Sequence, residues 1–184
     1  MSVVASRSGK GGFKEDAASH IDQLYRVAYH LTKQKDDADD LVQETYLRAI
    51  NNYAQFESGT NLKAWLTRIL YNMFVNRYHR ERKTVSFDQP AAETDISWLD
   101  TMASSNPGPE AQFLQAELKD KLKEALDSLS EEFATPIVLV DVGGFSYAEV
   151  AEITSCPIGT VRSRLFRARA VLAGKLREYV RHEK

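Results

Sequence analysis

Apolar residues recur at intervals of three and four positions along most of this chain, and that spacing predicts α-helices. The helical period is continuous from residue 19 to about residue 82, and no part of that segment alternates convincingly with a period of two. The period is lost over residues 84–112 and resumes near the end of that segment. We therefore expect an all-α protein in which two small helical domains are joined by a flexible linker.

Three helices are predicted before residue 83. Asp36 or Asp37 can cap the second helix, because a carboxylate accepts a hydrogen bond from an unpaired amide and favours the positive end of the helix. Thr60 or Asn61 can begin the third helix, which is long and follows a short loop. The apolar stripes of the three helices comprise Ile21, Leu24, Tyr25, Ala28 and Leu31; Ala38, Leu41, Val42, Thr45 and Ala49; and Leu62, Trp65, Leu66, Ile69 and Met73.

Residues 146–169 predict a helix-turn-helix. Ser146 and Glu149 have the spacing of a capping box, and the short helix that follows buries Val150, Ala151 and Ile153. Residues 155–157 end this helix. Pro157 suits the first position of the next helix, since it needs no amide partner there. The stripe of that second helix comprises Ile158, Val161, Leu165, Ala168 and Leu172.

The arginines of the second helix fall mostly off its apolar stripe, and no acidic residue follows until Glu178. A helix that packs on one face and offers only cations on the other suits a polyanion such as DNA. The alternative is a solvated basic helix, and the turn chemistry together with the acid-free run favours DNA. The arginines concerned are Arg162, Arg164, Arg167 and Arg169.

A polar stripe runs along the long helix at residues 61–82. Its members are Arg68, Asn72, Asn76 and either His79 or Arg80. Asparagine is unfavourable inside a helix, so its placement here indicates hydrogen bonding to bases. Interleaved aromatic residues favour single-stranded nucleic acid, whose bases stack on rings. Core packing is the preferred interpretation for Trp65 and Phe74, and both interpretations stay open for Tyr71 and Tyr78.

The net charge of −2 hides two basic segments. Residues 61–83 carry six cations against Glu81 alone, residues 157–177 carry six cations and no acid, and residues 84–118 contain neither Lys nor Arg. Two basic surfaces separated by an acidic spacer indicate two nucleic-acid contacts made by separate modules.

Several classes of function are disfavoured. One cysteine, Cys156, excludes an internal disulfide and a cysteine-rich zinc site, and the four histidines lack ligand spacing. No metal site, cofactor or enzyme site is expected, and the acidic run at residues 36–40 lacks the glycine and distal glutamate of a calcium loop. No apolar run reaches the length of a membrane span and no signal peptide is evident, so we expect a cytoplasmic protein without membrane contact.

Two pairs of motifs carry a family resemblance. The first half contains DDADDLVQETYLRA and GTNLKAWLTRILYNMFVNRYHR, and the second contains ALDSLSEEFATPIVLVDVGGFSYAEVAEI and PIGTVRSRLFRAR. Together they resemble bacterial extracytoplasmic-function (ECF) sigma factors, the smallest class of promoter-specificity subunit of RNA polymerase. The composition predicts a flexible tail at 1–18 and an acidic linker at 84–112. The resemblance implies a sigma region 2 helical bundle at 19–83 and a region 4 helix-turn-helix at 113–184.

The resemblance also implies roles for individual residues. Asp40, Leu41, Gln43, Glu44 and Thr45 match the helix that binds the clamp coiled coil of core RNA polymerase. Glu57, Ser58, Gly59, Thr60 and Asn61 match the loop that holds a base flipped from the minus-ten element. Lys63, Arg68, Asn72, Asn76, Arg77 and Arg80 match the helix that meets the melted non-template strand. Thr160, Arg162, Ser163, Arg164 and Arg167 match the helix that reads the minus-thirty-five duplex.

The implied function is promoter recognition and melting for a stress or envelope-response regulon, with an anti-sigma factor as regulatory partner. GTNLKAWL resembles the oxidative-stress subgroup of the family. Ser130, Ala134 and Pro136 depart from the family pattern, which affects the contact with the polymerase flap. Either a helix begins at Thr135, or Pro136 kinks it. Cys156 stands where a Ser or Thr cap is usual, and a tolerated small residue is favoured over redox sensing.

Two other classes of protein compete with this interpretation. A two-domain regulator would place an αβ receiver before the helix-turn-helix, whereas the first half is helical and has its own basic stripe. An anti-sigma or adaptor protein would bind polymerase without reading a promoter, and the two cation- and asparagine-rich faces disfavour it.

Overall fold

A computed structural model describes residues 10–57, 59–84, 121–122 and 124–182, with side chains left out at both ends of the chain and at residues 78–84. Every regular element among these residues is helical, which confirms the all-α prediction. The chain divides into two compact units. The predicted linker at residues 84–112 lies outside the described residues apart from its first residue. None of the described helices is both long enough and apolar enough to cross a membrane.

The described residues of the first unit form four α-helices and one short 3₁₀ turn. They are α1 (Lys10–Ala18), α2 (Ile21–Thr32), α3 (Lys35–Asn51), the turn Tyr53–Gln55 and α4 (Leu62–Thr84).

The helix α1 corrects the prediction that residues 1–18 form a flexible tail, of which residues 1–9 lie outside the described residues. Phe13 and Ala17 stand one helical turn apart, and both are buried. The phenolic hydroxyl of Tyr46 on α3 donates a hydrogen bond of 2.6 Å to the Ala17 carbonyl. One phenylalanine and two adjacent alanines among two glycines and several charges are too few for a helical period, which is why the sequence did not reveal α1.

The helix α3 packs as predicted, because the whole stripe Ala38, Leu41, Val42, Thr45 and Ala49 is buried. Its predicted cap is wrong, since the helix begins at Lys35 after an extended Gln34. Asp36 and Asp37 therefore occupy the first turn, where carboxylates still favour the positive helix end. The stripe of α2 also differs from the prediction: Val27 is buried, whereas Ile21 is 45% exposed.

The start of α4 is fixed by Asn61, whose side-chain oxygen accepts a hydrogen bond of 3.1 Å from the Ala64 amide. Of the two predicted starts, Thr60 and Asn61, the structure selects Asn61 as the cap. The buried face is rotated by about one residue from the prediction, because α4 packs mainly against α3 and α2 and only a smaller part of it contacts α1. The buried residues of α4 are Leu66, Thr67, Leu70 and Phe74. The half-buried members of the predicted stripe are Leu62, Trp65, Ile69 and Met73.

The second unit contains α5 (Glu131–Ile137), a π-helical turn (Val138–Val142), α6 (Tyr147–Thr154) and α7 (Ile158–His182). Pro136 lies inside α5, so the helix does not begin at Thr135. Of the two predicted alternatives, the one in which Pro136 disturbs a helix that has already begun is correct. Proline removes one amide donor and crowds the carbonyl four residues earlier. The chain continues in a wider turn, which the Gly143 amide closes with a hydrogen bond of 2.8 Å to the Val138 carbonyl.

The helix-turn-helix is confirmed in outline. The Ser146 amide donates a hydrogen bond of 2.8 Å to the Glu149 carboxylate, and the Glu149 amide lies 3.3 Å from the Ser146 hydroxyl oxygen, as a capping box requires. Pro157 precedes α7 and is not its first residue, and its carbonyl accepts the Thr160 amide at 2.9 Å. Of the predicted core residues, Val150, Ile153, Val161, Leu165 and Ala168 are buried, Ala151 and Leu172 are half-buried and Ile158 is 40% exposed.

Replacing Tyr46 with Phe is expected to lower the free energy of unfolding by about 1 kcal/mol, the usual contribution of one hydrogen bond. Burial, with a smaller effect of Asp22, raises the pKa of Tyr46 to about 12. A raised pKa means that the folded state favours the neutral phenol. The contribution of Tyr46 to the free energy of unfolding is therefore complete below the unfolded pKa near 10 and is lost as the pH rises through 12.

Urea unfolding of wild type and Tyr46→Phe between pH 8 and pH 12 measures this difference. The gap between the two proteins should be constant below pH 10 and close above it. A gap that stays constant to pH 12 would contradict the assignment of the shift to Tyr46.

Candidate nucleic-acid interface

The exposed face of α7 carries the predicted minus-thirty-five residues Arg162, Ser163 and Arg167. Phe166 lies among them and is 78% exposed, the most exposed large apolar side chain that the structure describes. Positions 162, 163, 166 and 167 share one side of a helix, opposite the buried Val161 and Leu165. Thr160 is half-buried, and its carbonyl accepts a hydrogen bond of 3.0 Å from the Ser163 hydroxyl.

Phe166 is a residue that the sequence analysis missed. A solvent-exposed phenylalanine on a surface of arginines has no packing role in this unit, and it can make apolar contact with a thymine methyl group in the major groove. The available signal was its position, one residue after the buried Leu165 and therefore off the apolar stripe.

Two other arginines of α7 are engaged inside the unit. Arg164 Nη2 lies 3.5 Å from Glu132 Oε2 on α5. Arg169 donates hydrogen bonds of 3.0 Å to Asp141 Oδ1 and 3.1 Å to the Tyr147 hydroxyl, and the bond to Tyr147 is the largest cause of its raised pKa.

The acid-free run of α7 therefore meets acids from about thirty residues earlier in the chain. Arg164 is half-buried and paired with Glu132, whereas Arg162 and Arg167 are exposed. Its pair with Glu132 is long and partly solvated, so phosphate can compete with it.

In the loop predicted to hold a flipped nucleobase, hydrogen bonds join the two ends and the described side chains are exposed. The Glu57 carbonyl accepts both the amide and the hydroxyl of Thr60, at 3.1 and 2.7 Å. Gly59 has a φ of +93°, in the region that favours glycine. Glu57, Gly59, Thr60 and Asn61 are all exposed, and Ser58 lies outside the described residues.

Along α4, the predicted polar stripe is present as one exposed face. Arg68, Asn72 and Asn76 are four residues apart and all exposed. Lys63 and Arg77 are half-buried, and helical geometry places both on the opposite side of α4, with the buried Leu66 and Leu70. Arg77 Nη1 lies 3.7 Å from Asp37 Oδ1 of α3. The side chain of Arg80 lies outside the described residues.

The positive charge of Lys63 also acts on a neighbouring histidine, His20. Burial lowers the pKa of His20 and the Lys63 charge lowers it further, against a smaller opposing effect of Asp16. The neutral imidazole therefore adds little to the positive charge at this end of α4.

The aromatic residues of α4 are less available to bases than the sequence allowed. Phe74 is buried, as the core interpretation predicted. Trp65 is half-buried in a cluster with the rings of Phe13 and Phe56, and Tyr71 is half-buried as well. The side chain of Tyr78 lies outside the described residues.

The predicted polymerase-binding residues of α3 fall into two groups. Asp40, Gln43 and Glu44 are exposed, whereas Leu41 and Thr45 are in the core, and the Thr45 hydroxyl bonds the Leu41 carbonyl at 2.7 Å. The contact role implied for Leu41 and Thr45 is therefore replaced by a packing role, since neither reaches the surface.

Beside the exposed group, α2 and α3 form an open groove of about 890 Å³. Leu47 on its wall is 64% exposed and Ile21 is 45% exposed, so the groove offers apolar surface next to the exposed Gln43. The sequence analysis missed both as surface residues. Ile21 has the spacing of the apolar stripe of α2, so the sequence predicts that it is buried. It is the first residue of α2, and the neighbouring helices leave it exposed.

Comparison with known proteins agrees with both halves of this arrangement. The family model Sigma-70 region 2 matches residues 17–84, and Sigma-70, region 4 matches residues 119–172. The ECF RNA polymerase sigma factor EcfG of Rhodopseudomonas palustris is 38% identical over 163 residues, covering 89% of this chain and 84% of that protein. The chain belongs to the ECF sigma-factor family. The family assignment from sequence is confirmed, and the oxidative-stress subgroup stays a prediction.

Two further comparisons support this sigma factor's assignment. SigE of Mycolicibacterium smegmatis is 35% identical, covering 97% of this chain and 65% of that protein. Among solved structures, the sigma factor RpoE in complex with the anti-sigma factor NepR from Bartonella quintana matches with a TM-score of 0.68 and 30% identity, covering 90% of this chain and 97% of that one.

Gly59→Ala is expected to lower the free energy of unfolding of this sigma factor by about 1–2 kcal/mol, the strain of an L-residue at positive φ. A Cβ at Gly59 would meet nothing within 4 Å, so the cost is one of backbone conformation alone. Gly174 in α7 is the matched control, because its Cβ is equally unobstructed in a regular helix. Gly174→Ala should stabilise by about 0.5–1 kcal/mol.

Urea unfolding of the two variants beside wild type checks the sign of each change. If Gly59→Ala were as stable as wild type, the left-handed conformation of the loop would be wrong.

Proposed function

We propose that this ECF sigma factor directs core RNA polymerase to promoters through three surfaces, each on a different helix. The observation that carries the proposal is that α4 and α7 each bury one side and present cations and hydrogen-bonding groups on the other. Such a face on a helix suits recognition of nucleic acid, while the buried side fixes its orientation.

The exposed face of α7 reads the minus-thirty-five duplex in the major groove. Arg162 and Arg167 suit bidentate contact with guanine, Phe166 suits a thymine methyl, and the Ser163 hydroxyl suits a base or phosphate. Thr160 and Arg164 flank this face and are assigned to phosphates, where Arg164 exchanges its pair with Glu132 for DNA.

The exposed face of α4 and the loop before it bind the melted minus-ten strand. Arg68, Asn72 and Asn76 offer hydrogen bonds to separated bases, and the exposed loop offers a pocket for one base that has left the stack. Holding unstacked bases offsets the stacking energy that melting costs. The remaining residues assigned to this surface are Glu57, Ser58, Gly59, Thr60, Asn61, Lys63, Arg77 and Arg80.

Core polymerase binds the exposed side of α3, through Asp40, Gln43 and Glu44. The apolar groove beside them supplies Ile21 and Leu47 as the buried centre of that interface, with the charged groups at its rim. The clamp coiled coil is the partner assigned to this surface, and the flap is assigned to the region 4 unit.

An anti-sigma factor regulates this protein in the proposal, since RpoE of Bartonella quintana is seen in complex with the anti-sigma factor NepR. We assign the protein to the cytoplasm, to a stress or envelope-response regulon, and to initiation without catalytic chemistry, cofactor or membrane contact of its own.

Run-off transcription with purified core RNA polymerase and a library of genomic promoter fragments tests the function directly. Specific transcripts should appear only when the protein is added, and their start sites give the promoter sequence. If the protein bound DNA yet never activated core enzyme, a stand-alone regulator would replace this proposal.

For α7, we expect Arg162→Ala and Arg167→Ala each to cost about 1–3 kcal/mol in binding of the minus-thirty-five duplex by holoenzyme, the range for a lost bidentate contact with a base. Phe166→Ala should lose discrimination at a thymine. Lys175→Ala is the matched control, because Lys175 is exposed on the same helix about 12 Å beyond Arg167.

Fluorescence anisotropy with wild-type and base-substituted duplexes measures these effects, and Lys175→Ala should stay within roughly twofold of wild type. Equal losses for Lys175→Ala and the two arginine variants would mean that charge alone acts here, without base readout.

A further inference from the structure

We infer that α1 holds the base-binding loop in place, with Phe13 as the positioning residue. The inference rests on the proposed function of that loop. Almost all of α1 lies before residue 17, where the match to the Sigma-70 region 2 model begins. The segment matched by that family model does not contain Phe13, so the inference is argued from the contacts of Phe13 in this structure.

Phe13 joins the two ends of the loop through ring contacts. Its ring centroid lies 5.9 Å from that of Phe56, which immediately precedes Glu57. It lies 6.0 Å from the ring of Trp65, near the start of α4, in an edge-on arrangement. Phe56 and Trp65 also contact each other, with centroids 5.5 Å apart. The three rings form a closed triangle, and Phe13 is its most buried member, at 8% exposure.

The hydrogen bonds at the two ends of the loop have different effects. Thr60 donates its amide and its hydroxyl to the Glu57 carbonyl, which closes the loop on itself. Asn61 accepts the Ala64 amide through its side chain, which attaches the loop to the first turn of α4. Orientation therefore depends on Phe56 at one end and on the first turn of α4 at the other.

The helix α1 is itself anchored away from the loop. Ala17 is buried, and its carbonyl accepts the Tyr46 hydroxyl on α3. Phe13 stands one turn before Ala17, so it is fixed to α3 through the helix and contacts the loop ends through its ring. It also contacts Tyr53, in the turn that leads to Phe56, with centroids 6.1 Å apart.

A pocket for a flipped base needs this kind of support. Recognition by hydrogen bonds tolerates displacements of only about 0.5 Å, so a loop that can tilt loses discrimination between bases before it loses affinity for the strand. Phe13 touches no DNA in this scheme, and its effect is exerted entirely through Phe56 and Trp65.

The test compares Phe13→Ala with Leu70→Ala in holoenzyme assembled from core polymerase. Leu70 is fully buried in α4 and stands nine residues beyond Asn61, or about 13 Å along the helix. Both changes empty core volume, so they control for loss of stability. Phe13→Leu, which keeps apolar volume but loses the ring, is the conservative variant.

The first readout is binding of minus-ten non-template oligonucleotides that differ at the base proposed to be flipped. Phe13→Ala should lower the discrimination between preferred and other bases by at least ~10-fold, with Phe13→Leu in between. Leu70→Ala should keep the wild-type discrimination. Binding of the minus-thirty-five duplex should be the same for all four proteins.

The second readout needs no DNA. Hydrogen exchange of the Thr60 amide, which donates to Glu57, should be faster in Phe13→Ala than in Leu70→Ala. If Phe13→Ala discriminates between bases no worse than Leu70→Ala, the inference is overturned while the proposed function stands. If wild-type holoenzyme shows no preference at any base of the minus-ten strand, the proposed role of the loop fails first and the inference with it.

Discussion

Burial of one side of a helix determines what its other side presents, and the two helices proposed to meet nucleic acid depend on this constraint. In α7, Val161, Leu165 and Ala168 are buried and leave the opposite side exposed. The same division in α4 sets Leu66, Leu70 and Phe74 against an exposed face of Arg68, Asn72 and Asn76. Because a helix is rigid, burial on one side determines the direction of every side chain on the other. Packing of the two cores therefore fixes the spacing of the groups that we propose to meet nucleic acid.

The helical period was enough to predict the fold and the outline of both faces. The α3 stripe was right at every position, and the Ser146–Glu149 capping box formed as expected. These features depend on residues three or four apart in the chain, whose relative positions are set by local geometry. The exposed stripe of α4 followed from the same rule, although its buried side was rotated by about one residue.

Interactions between distant segments could not be predicted in this way. Arg164 and Arg169 are paired with acids about thirty residues earlier, which no local pattern indicates. Phe13 lies in a segment with too few apolar residues to form a stripe, and its partners are about forty residues and more away. Leu41 and Thr45 show the opposite error, since membership of a contact helix implied exposure for residues that face inward. A role carried over by resemblance is assigned to a whole helix, whereas burial limits the residues of that helix that can contact a partner.

The carboxylates that pair with arginines of α7 bear on non-specific binding to DNA. Non-specific attraction to DNA grows with the number of phosphates that a protein neutralises, and each cation held by its own carboxylate weakens that attraction. If α7 binds DNA as proposed, Glu132 and Asp141 reduce its attraction to unrelated sequences, while Arg162 and Arg167 stay exposed. Less of the protein would then be held on DNA that carries no promoter.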